Sequence, residues 1–249
     1  MIKKIKTSKK TRMIVIIIFV FSLLIACSVK RKSDTISKIY LISSLPYFKD
    51  NKKFVYLRDS VGIIYYKNHI LYEFPLHWSS QNSGDTTSFR QWIKYSYFLY
   101  NKNDFYGRYY DSINSNIYKT MAVDSLLSCR AFRGQSIFNK LEDHILLSSI
   151  KTQGNYSLIE KYKCKVKKDE TYPDTTIVHY TRKMKEVEHT LSKDLDENKK
   201  MKVKKIRALY NPKVFKGISV PNYEIMFELK EDTVTNLEQY KLFIEKHKK

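Results

Sequence analysis

Six histidines, His69, His77, His144, His179, His189 and His247, are the first residues to test for chemistry. None is spaced as His-x-x-x-His or His-x-His, and the chain has no Cys-x-x-Cys. No helix turn or strand therefore presents two zinc ligands side by side. Asp194-x-Asp196-x-Asn198 copies the opening of a calcium loop. Lys199 then stands where that loop needs Gly, and Lys205 where a bidentate Glu belongs. Gly134-Gln-Ser136 begins like a nucleophile elbow, but Phe138 fills the place where a second Gly must let a strand turn sharply into a helix. Six widely scattered glycines build no phosphate-cradling loop. Glu186 and Glu188 lie among Lys183, Lys185 and Lys193 and read as a solvated charged face, not an acid–base pair. No motif calls for a metal or an organic cofactor, and none is expected. Any catalytic site has to be assembled by the fold.

Two further features carry chemistry without a motif. Cys129 and Cys164 can pair in an oxidising compartment, where the closed loop contributes roughly 3.5–4 kcal/mol of chain entropy. They suit two separate buried thiols equally well, since spacing does not say whether their Cα atoms come within bonding range. Tyr95, Tyr97, Phe98, Tyr100, Phe105, Tyr106, Tyr109 and Tyr110 fall within 16 residues, beside Asp104, Arg108 and Asp111. Tyr95, Tyr97, Tyr100, Tyr106, Tyr109 and Tyr110 are candidates for an aromatic surface that binds a glycan or another protein. On a strand the competing outcome is that alternate aromatics fill the core and their neighbours cover a half-exposed sheet.

The elements that would position these residues are mostly strands. Phe54–Leu57, Ile63–Tyr66 and Ile70–Phe74 are short β-branched and aromatic runs, parted by Arg58-Asp59-Ser60 and Lys67-Asn68-His69 as turn material. Pro75 and the polar stretch Ser79–Ser88 predict a loop. Residues 88–100 fit either period: Ile93, Tyr95, Tyr97 and Leu99 alternate, whereas Phe89, Trp92, Ile93 and Tyr100 recur at helical spacing. The tyrosine density favours a strand, with Asn101–Asp104 as a hairpin turn. Val123–Phe132 predicts a short helix that Asp124 could cap. His144–Lys151 and Tyr156–Lys167 flank Gln153-Gly154-Asn155 as a hairpin. Tyr172–Thr175 reads as a turn ahead of a strand at Thr176–Thr181. Residues 182–200 are ambiguous, with Met184, Val187, Leu191 and Leu195 at helical spacing. A strand is expected at Tyr223–Leu229. Thr235-Asn236-Leu237-Glu238 has the form of a capping box before a closing helix with Leu237, Tyr240, Phe243 and Ile244 on its apolar side.

The amino terminus supplies an address. Lys3, Lys4, Lys6, Lys9, Lys10 and Arg12 precede the apolar run Met13–Ala26, whose 14 residues fall short of the about 20 that span a bilayer core. Only Ser22 interrupts the run, so it lacks the polar face of a core helix, and Lys30, Arg31 and Lys32 block a longer membrane helix. The basic start, the apolar run and Leu24-Ile25-Ala26-Cys27 together resemble the signal peptide and lipobox of bacterial lipoproteins. The resemblance covers residues 1–27. It implies cleavage before Cys27, diacylglycerol on the Cys27 sulfur and acylation of the new amino terminus. At about 0.8 kcal/mol per buried CH₂, three acyl chains hold a protein on a membrane essentially for good. In such lipoproteins Asp after the cysteine favours inner-membrane retention; Ser28 stands here, which implies the outer membrane. The basic Lys30-Arg31-Lys32, in place of an acidic stretch, implies the periplasmic face.

The expected organisation is a cleaved signal at 1–26, a lipidated flexible tether at 27–38 and one mainly-β periplasmic domain at 39–249. The signal carries six of the 46 basic residues and none of the 25 acidic ones, so 40 basic residues against 25 acidic leave +15. A lipid-anchored exported protein without a nucleic-acid motif is not expected to meet nucleic acid. Anionic lipid head groups fit that charge better, although Lys, Tyr, Ile and Asn are abundant throughout and part of the charge is compositional. The expected fold is α+β, mainly antiparallel sheet with a C-terminal helix and one or two further short helices packed on it. The expected function is a non-catalytic binding or scaffolding role at the outer membrane, held by the lipid on Cys27, with another envelope protein, a glycan or anionic head groups as partner. The alternative is an envelope hydrolase acting on glycan or lipid.

Overall fold

A computed structural model describes residues 36–49, 53–80, 90–133, 141, 143–152, 157–165, 172–184, 186–215, 217–232 and 237–248. The signal peptide, the lipobox and Cys27 lie outside them. Residues from Ile36 onward form one compact unit. The strands are β1 (Ser37–Lys49), β2 (Lys53–Tyr66), β3 (His69–Ser80), β4 (Arg90–Asn101), β5 (Tyr106–Tyr110), β6 (Lys119–Ala122), β7 (His144–Thr152), β8 (Ser157–Cys164), β9 (Thr175–Thr181), β10 (Lys202–Tyr210), β11 (Lys213–Phe215), β12 (Ile218–Val220) and β13 (Tyr223–Glu231). Three helices join them: α1 (Val123–Ala131), α2 (Lys193–Lys199) and α3 (Glu238–His247). This is the α+β arrangement that the sequence predicts.

Eleven strands make one sheet in the order β6-β5-β4-β3-β2-β1-β13-β10-β9-β8-β7, and β11 pairs with β12 separately. The neighbouring strands run antiparallel. β1 sits in the middle, with β2 on one side and the late strand β13 on the other. It begins two residues before the expected domain start, so the tether expected to run to residue 38 yields its last two residues to the sheet; Lys38 is already buried.

Alternation gives the sheet two apolar faces. One carries Ile39, Leu41, Val61, Ile63, Tyr72, Phe74 and Phe98, and α1 lays Val123, Leu126, Leu127 and Ala131 on it. Met184, Leu191 and Leu195 join the same core from the segment leading into α2. The opposite face carries Ile64, Tyr66, Leu71, Tyr97, Leu99 and Tyr110, covered by Tyr240, Phe243 and Ile244 of α3. Burying a side chain of this size contributes about 1.5–3 kcal/mol, so both helices are held by packing more than by propensity.

Several expectations change. Arg58-Asp59-Ser60 is no turn: β2 runs unbroken through it, because β1 pairs with it continuously from Ser37↔Tyr65 to Lys49↔Lys53. Pro75 lies inside β3. The β3–β4 ladder continues to Ser80↔Arg90. The β2–β3 ladder stops at Gly62↔Glu73, just short of the proline that has no N–H to give. Residues 90–101 resolve as strand β4. The 182–200 segment resolves as irregular chain and then α2, whose N-cap Ser192 accepts the Leu195 N–H at 3.3 Å. Asp124 does not cap α1; Ala122 holds the N-cap position and Asp124 lies in the first turn, where its charge still suits the positive helix end. α3 starts at Glu238 behind Leu237 without a side-chain cap. Thr235 of the expected capping box lies outside the described residues.

Candidate binding surface

The six tyrosines expected to form one surface do not share one. Tyr97, Tyr100 and Tyr110 are buried, Tyr109 is half-buried, and Tyr95 and Tyr106 are exposed. The pleat is the cause: Tyr97 and Tyr110 join the core under α3, whereas Tyr100 turns to the face under α1. Tyr110 meets Phe243 edge-on with ring centroids 5.0 Å apart, a core contact.

An uncovered apolar surface lies elsewhere, at the far end of four long strands. The last residues of β1 and β3 lie at the same end of the sheet, since the β2–β3 turn at Lys67-Asn68 lies at the other. Beyond Gly62 and Glu73 the two hairpins, here the first and second arm, are no longer joined by a ladder; the first packs on the start of β13, where Phe54 and Tyr223 have ring centroids 4.8 Å apart and the Tyr56 hydroxyl accepts the Glu224 N–H at 3.1 Å. In the first arm Tyr47, Val55 and Leu57 are exposed on the core side and Tyr56 on the opposite side. In the second, Trp78 pairs directly with Trp92 on the core side, while Ile93 and Tyr95 face the other way. Trp78 is 50% exposed and Leu57 60%, in strands whose inner halves are among the most buried of the chain. Lys53, Arg58 and Lys94 are exposed beside them, and the Lys94 ammonium lies 5.2 Å from the Trp78 ring centroid. His77 Nε2 reaches Asp59 Oδ1 at 3.5 Å, a polar link between the arms.

Buried polar groups converge at two places. On the α3 side, Glu73 Oε2 accepts from Lys38 Nζ at 2.7 Å, and Oε1 accepts from the hydroxyls of Tyr240 at 2.8 Å and Tyr97 at 3.2 Å. Burial by itself would lower the Lys38 pKa; the hydrogen bonds to Glu73 and Tyr240 and the Glu73 charge more than reverse it, and the ammonium is held well above its ordinary range. Burial also raises the Tyr97 hydroxyl well above its usual value. Gly62 belongs to this group, because a Cβ there would come within 2.9 Å of both Glu73 Oε2 and Lys38 Cε.

On the α1 side, His189 Nδ1 and the Tyr72 hydroxyl share a hydrogen bond of 2.9 Å, and the His189 N–H donates to the Tyr65 hydroxyl at 3.2 Å. Arg133 lies 3.6 Å from Glu188 and donates to the Tyr100 hydroxyl at 3.5 Å. Complete burial, reinforced by the Arg133 and Lys202 charges, drives the His189 pKa down to about 3. Tyr72 and Tyr65 are pushed well above their ordinary range by the same burial. A neutral, sealed imidazole is a poor proton acceptor for a substrate near pH 7. Its contacts instead tie the 182–192 segment to β2 and β3. Asp196, the centre of the calcium-like run, sits in α2 and accepts from Lys202 at 2.8 Å, Thr190 at 2.7 Å and the Val203 N–H at 2.6 Å.

Two surface clefts among the described residues lie near these groups. One of about 320 Å³ lies between β4, β5 and the end of α3, lined by His69, Asn101, Asp104, Tyr106, Arg108 and His247 among others. Arg108 spans it, donating to the His247 carbonyl at 2.8 Å. The other, about 360 Å³, lies over Tyr40, Ile42, Glu73, Tyr95 and Lys230. Among the described residues no group of three or more His, Cys, Asp and Glu is placed to hold a metal ion. Cys129 is exposed on α1 and Cys164 half-buried at the end of β8, with no disulfide between them. Sequence reasoning missed the arms because Pro75 and the serines after it pointed to a loop. The alternation Phe74, Leu76, Trp78 was the signal that the strand continues.

The fold and this surface define an α+β protein with a large antiparallel sheet and large exposed side chains toward one end of it. No family model matches the chain, and no curated protein matches it. Among solved structures, one similar chain is a Vibrio parahaemolyticus domain described as an outer membrane lipoprotein-sorting protein, at 10% identity and a TM-score of 0.19, covering 84% of this chain and 89% of that one. A likeness at that score carries no argument here. No helix among the described residues is long and apolar enough to cross a membrane.

Proposed function

We propose that this chain is a non-catalytic cell-envelope lipoprotein, attached through Cys27 to the periplasmic face of the outer membrane, that binds or scaffolds an apolar or amphipathic partner. The observation that carries the binding role is the pair of arms. Large side chains are left in water at the outer ends of four strands whose inner halves bury theirs, and contiguous exposed patches of this kind mark interaction surfaces. The attachment is supported by the lipobox residues Leu24–Cys27.

Two measurements test the reading. Cys27→Ser should abolish acyl labelling in cells and leave the precursor unprocessed; normal labelling would sink the attachment. A photo-crosslinking residue in place of Leu57 or Trp78 should capture a partner in cells, while one in place of the buried Leu71 should not. Turnover of an envelope glycan or lipid by the purified protein would replace this reading with the hydrolase.

A further inference from the structure

At the end of the sheet opposite the arms, the length of α3 leaves part of a face open. Tyr97 and Leu99 of β4 and Tyr110 of β5 join Phe243 and Ile244 in one core. The helix stops at His247. By strand alternation the same face continues past it as Asn101 of β4 and as Arg108 and Tyr106 of β5, with Thr120 of β6 opposite Arg108. Asn101 pairs with His69, beside the Lys67-Asn68 turn. These residues line the cleft of about 320 Å³, within the range of about 300–1,000 Å³ that ligand pockets occupy. Two tyrosine rings stand in its lining, Tyr106 at 65% exposed and Tyr118 at 47%. The Arg108 guanidinium lies 5.0 Å from the Tyr118 ring centroid, and the Tyr110 ring 5.8 Å from it, so Tyr118 is braced from two directions. Asp104 Oδ2 accepts from Asn101 Nδ2 at 2.9 Å, which holds a carboxylate and an amide side by side.

The lining selects the chemistry of a ligand. An apolar molecule would strip water from Asp104, Asn101, Arg108 and Thr120 without replacing their hydrogen bonds, which costs free energy. An anion would meet the wrong end of α3: the last carbonyls of a helix have no partners within it and carry partial negative charge. Arg108 is already engaged there, donating to the His247 carbonyl at 2.8 Å. Hydroxyl groups suit every one of these side chains, since they donate to Asp104 and to carbonyls and accept from Arg108 and the Asn101 amide. The exposed tyrosines add flat apolar faces, and a pyranose ring presents a C–H face to such a surface while its rim carries hydroxyls. We infer that this cleft binds a neutral sugar unit of a glycan chain, with the ring against Tyr106 and Tyr118 and its hydroxyls on Asp104, Asn101 and Thr120. The site is separate from the arms and goes beyond the role assigned to them. Of the six tyrosines expected to form an aromatic surface, Tyr106 is the exposed one that this cleft uses.

The test takes the full-length protein in phospholipid vesicles and three neutral probes, chitotetraose, cellotetraose and maltotetraose. Saturation-transfer difference NMR reads the sugar protons, and a titration gives the affinity. Transfer to at least one probe is expected. Tyr106→Ala should weaken that binding roughly five- to tenfold, the worth of one aromatic contact, and Tyr106→Trp should keep it. Phe105→Ala is the control, because that ring is 81% exposed next to Tyr106 but outside the cleft lining. It should leave the affinity unchanged, as should Trp78→Ala in the second arm. Both Tyr106 and Phe105 are exposed, so their truncation leaves the core packed. Inorganic phosphate should not displace the probe. Absence of transfer to all three probes, an affinity that Tyr106→Ala does not change, or equal losses in Phe105→Ala and Tyr106→Ala overturns the inference. Displacement by inorganic phosphate also overturns it, in favour of an anion site, and loss of binding in Trp78→Ala moves the sugar to the arms and overturns it too.

Discussion

Glu73 Oε2 stands 2.7 Å from Lys38 Nζ, with the two side chains only 9% and 6% exposed. The pair joins the first strand of the sheet to the third, and Tyr240 ties both to the closing helix. Removing one partner of a buried pair leaves the other charge without compensation, which costs about 3–5 kcal/mol. Lys38→Met is expected to lose that much in urea denaturation, and Lys38→Met/Glu73→Leu to lose clearly less. A single variant no worse than the double would show that the pair is hydrated.

His189 gives the stability a defined pH dependence. Its pKa is about 3 when folded, against an ordinary value of 6.5. Between those values the unfolded chain binds a proton that the folded chain refuses. The contribution is therefore complete above about pH 6.5 and lost as the pH falls toward 3, at up to about 1.4 kcal/mol per pH unit. Denaturation of wild type and His189→Gln at pH 7.5, 5.5 and 4.5 checks it. The gap between the two proteins should narrow as the solution becomes acidic, and a constant gap would mean the imidazole is protonated in the fold.

Gly107 lets the Phe98 ring rest on the β5 backbone. A Cβ there would lie 2.5 Å from Phe98 Cζ and 2.9 Å from the Leu99 carbonyl oxygen. Phe98 is fully buried and has little room to move. Gly107→Ala is expected to destabilise by about 1–3 kcal/mol, as overpacking does, and a thermal melt measures it. The glycine at 217, where a Cβ meets nothing within 4 Å but φ is +78°, should respond through backbone strain alone.

The two cysteines predict a redox-insensitive fold. Cys129→Ser and a reducing agent should each leave the denaturation midpoint in place, because no cross-link constrains the unfolded chain. A midpoint that drops on reduction would show that the thiols pair.

The strands and the closing helix were legible because their apolar periods are set locally. Tyr97 and Leu99 alternate with Phe98 and Tyr100, and Tyr240, Phe243 and Ile244 recur at helical spacing. What was not legible depended on pairing across the chain. Arg58-Asp59-Ser60 looks like a turn until β1 is laid beside it, and Pro75 looks like an end until β4 continues past it. Both faces of the sheet at Tyr97–Tyr100 are covered, one by α1 and one by α3, and no local pattern reveals that a strand is buried twice. The polar convergence around His189 joins residues more than a hundred positions apart, beyond the reach of motif spacing. Trp92 stood out only as part of the 88–100 run, and its direct pairing with Trp78 needed the register.

β1 is the sixth of eleven strands, bonded on both sides, and the amino-terminal chain enters at its first residue. A pull on that chain acts along the strand axis. It loads the ladders to β2 and β13 in shear, so many hydrogen bonds share the force instead of parting one after another as they would at an edge. Force applied through the amino-terminal chain would thus meet the sheet at its mechanically strongest point.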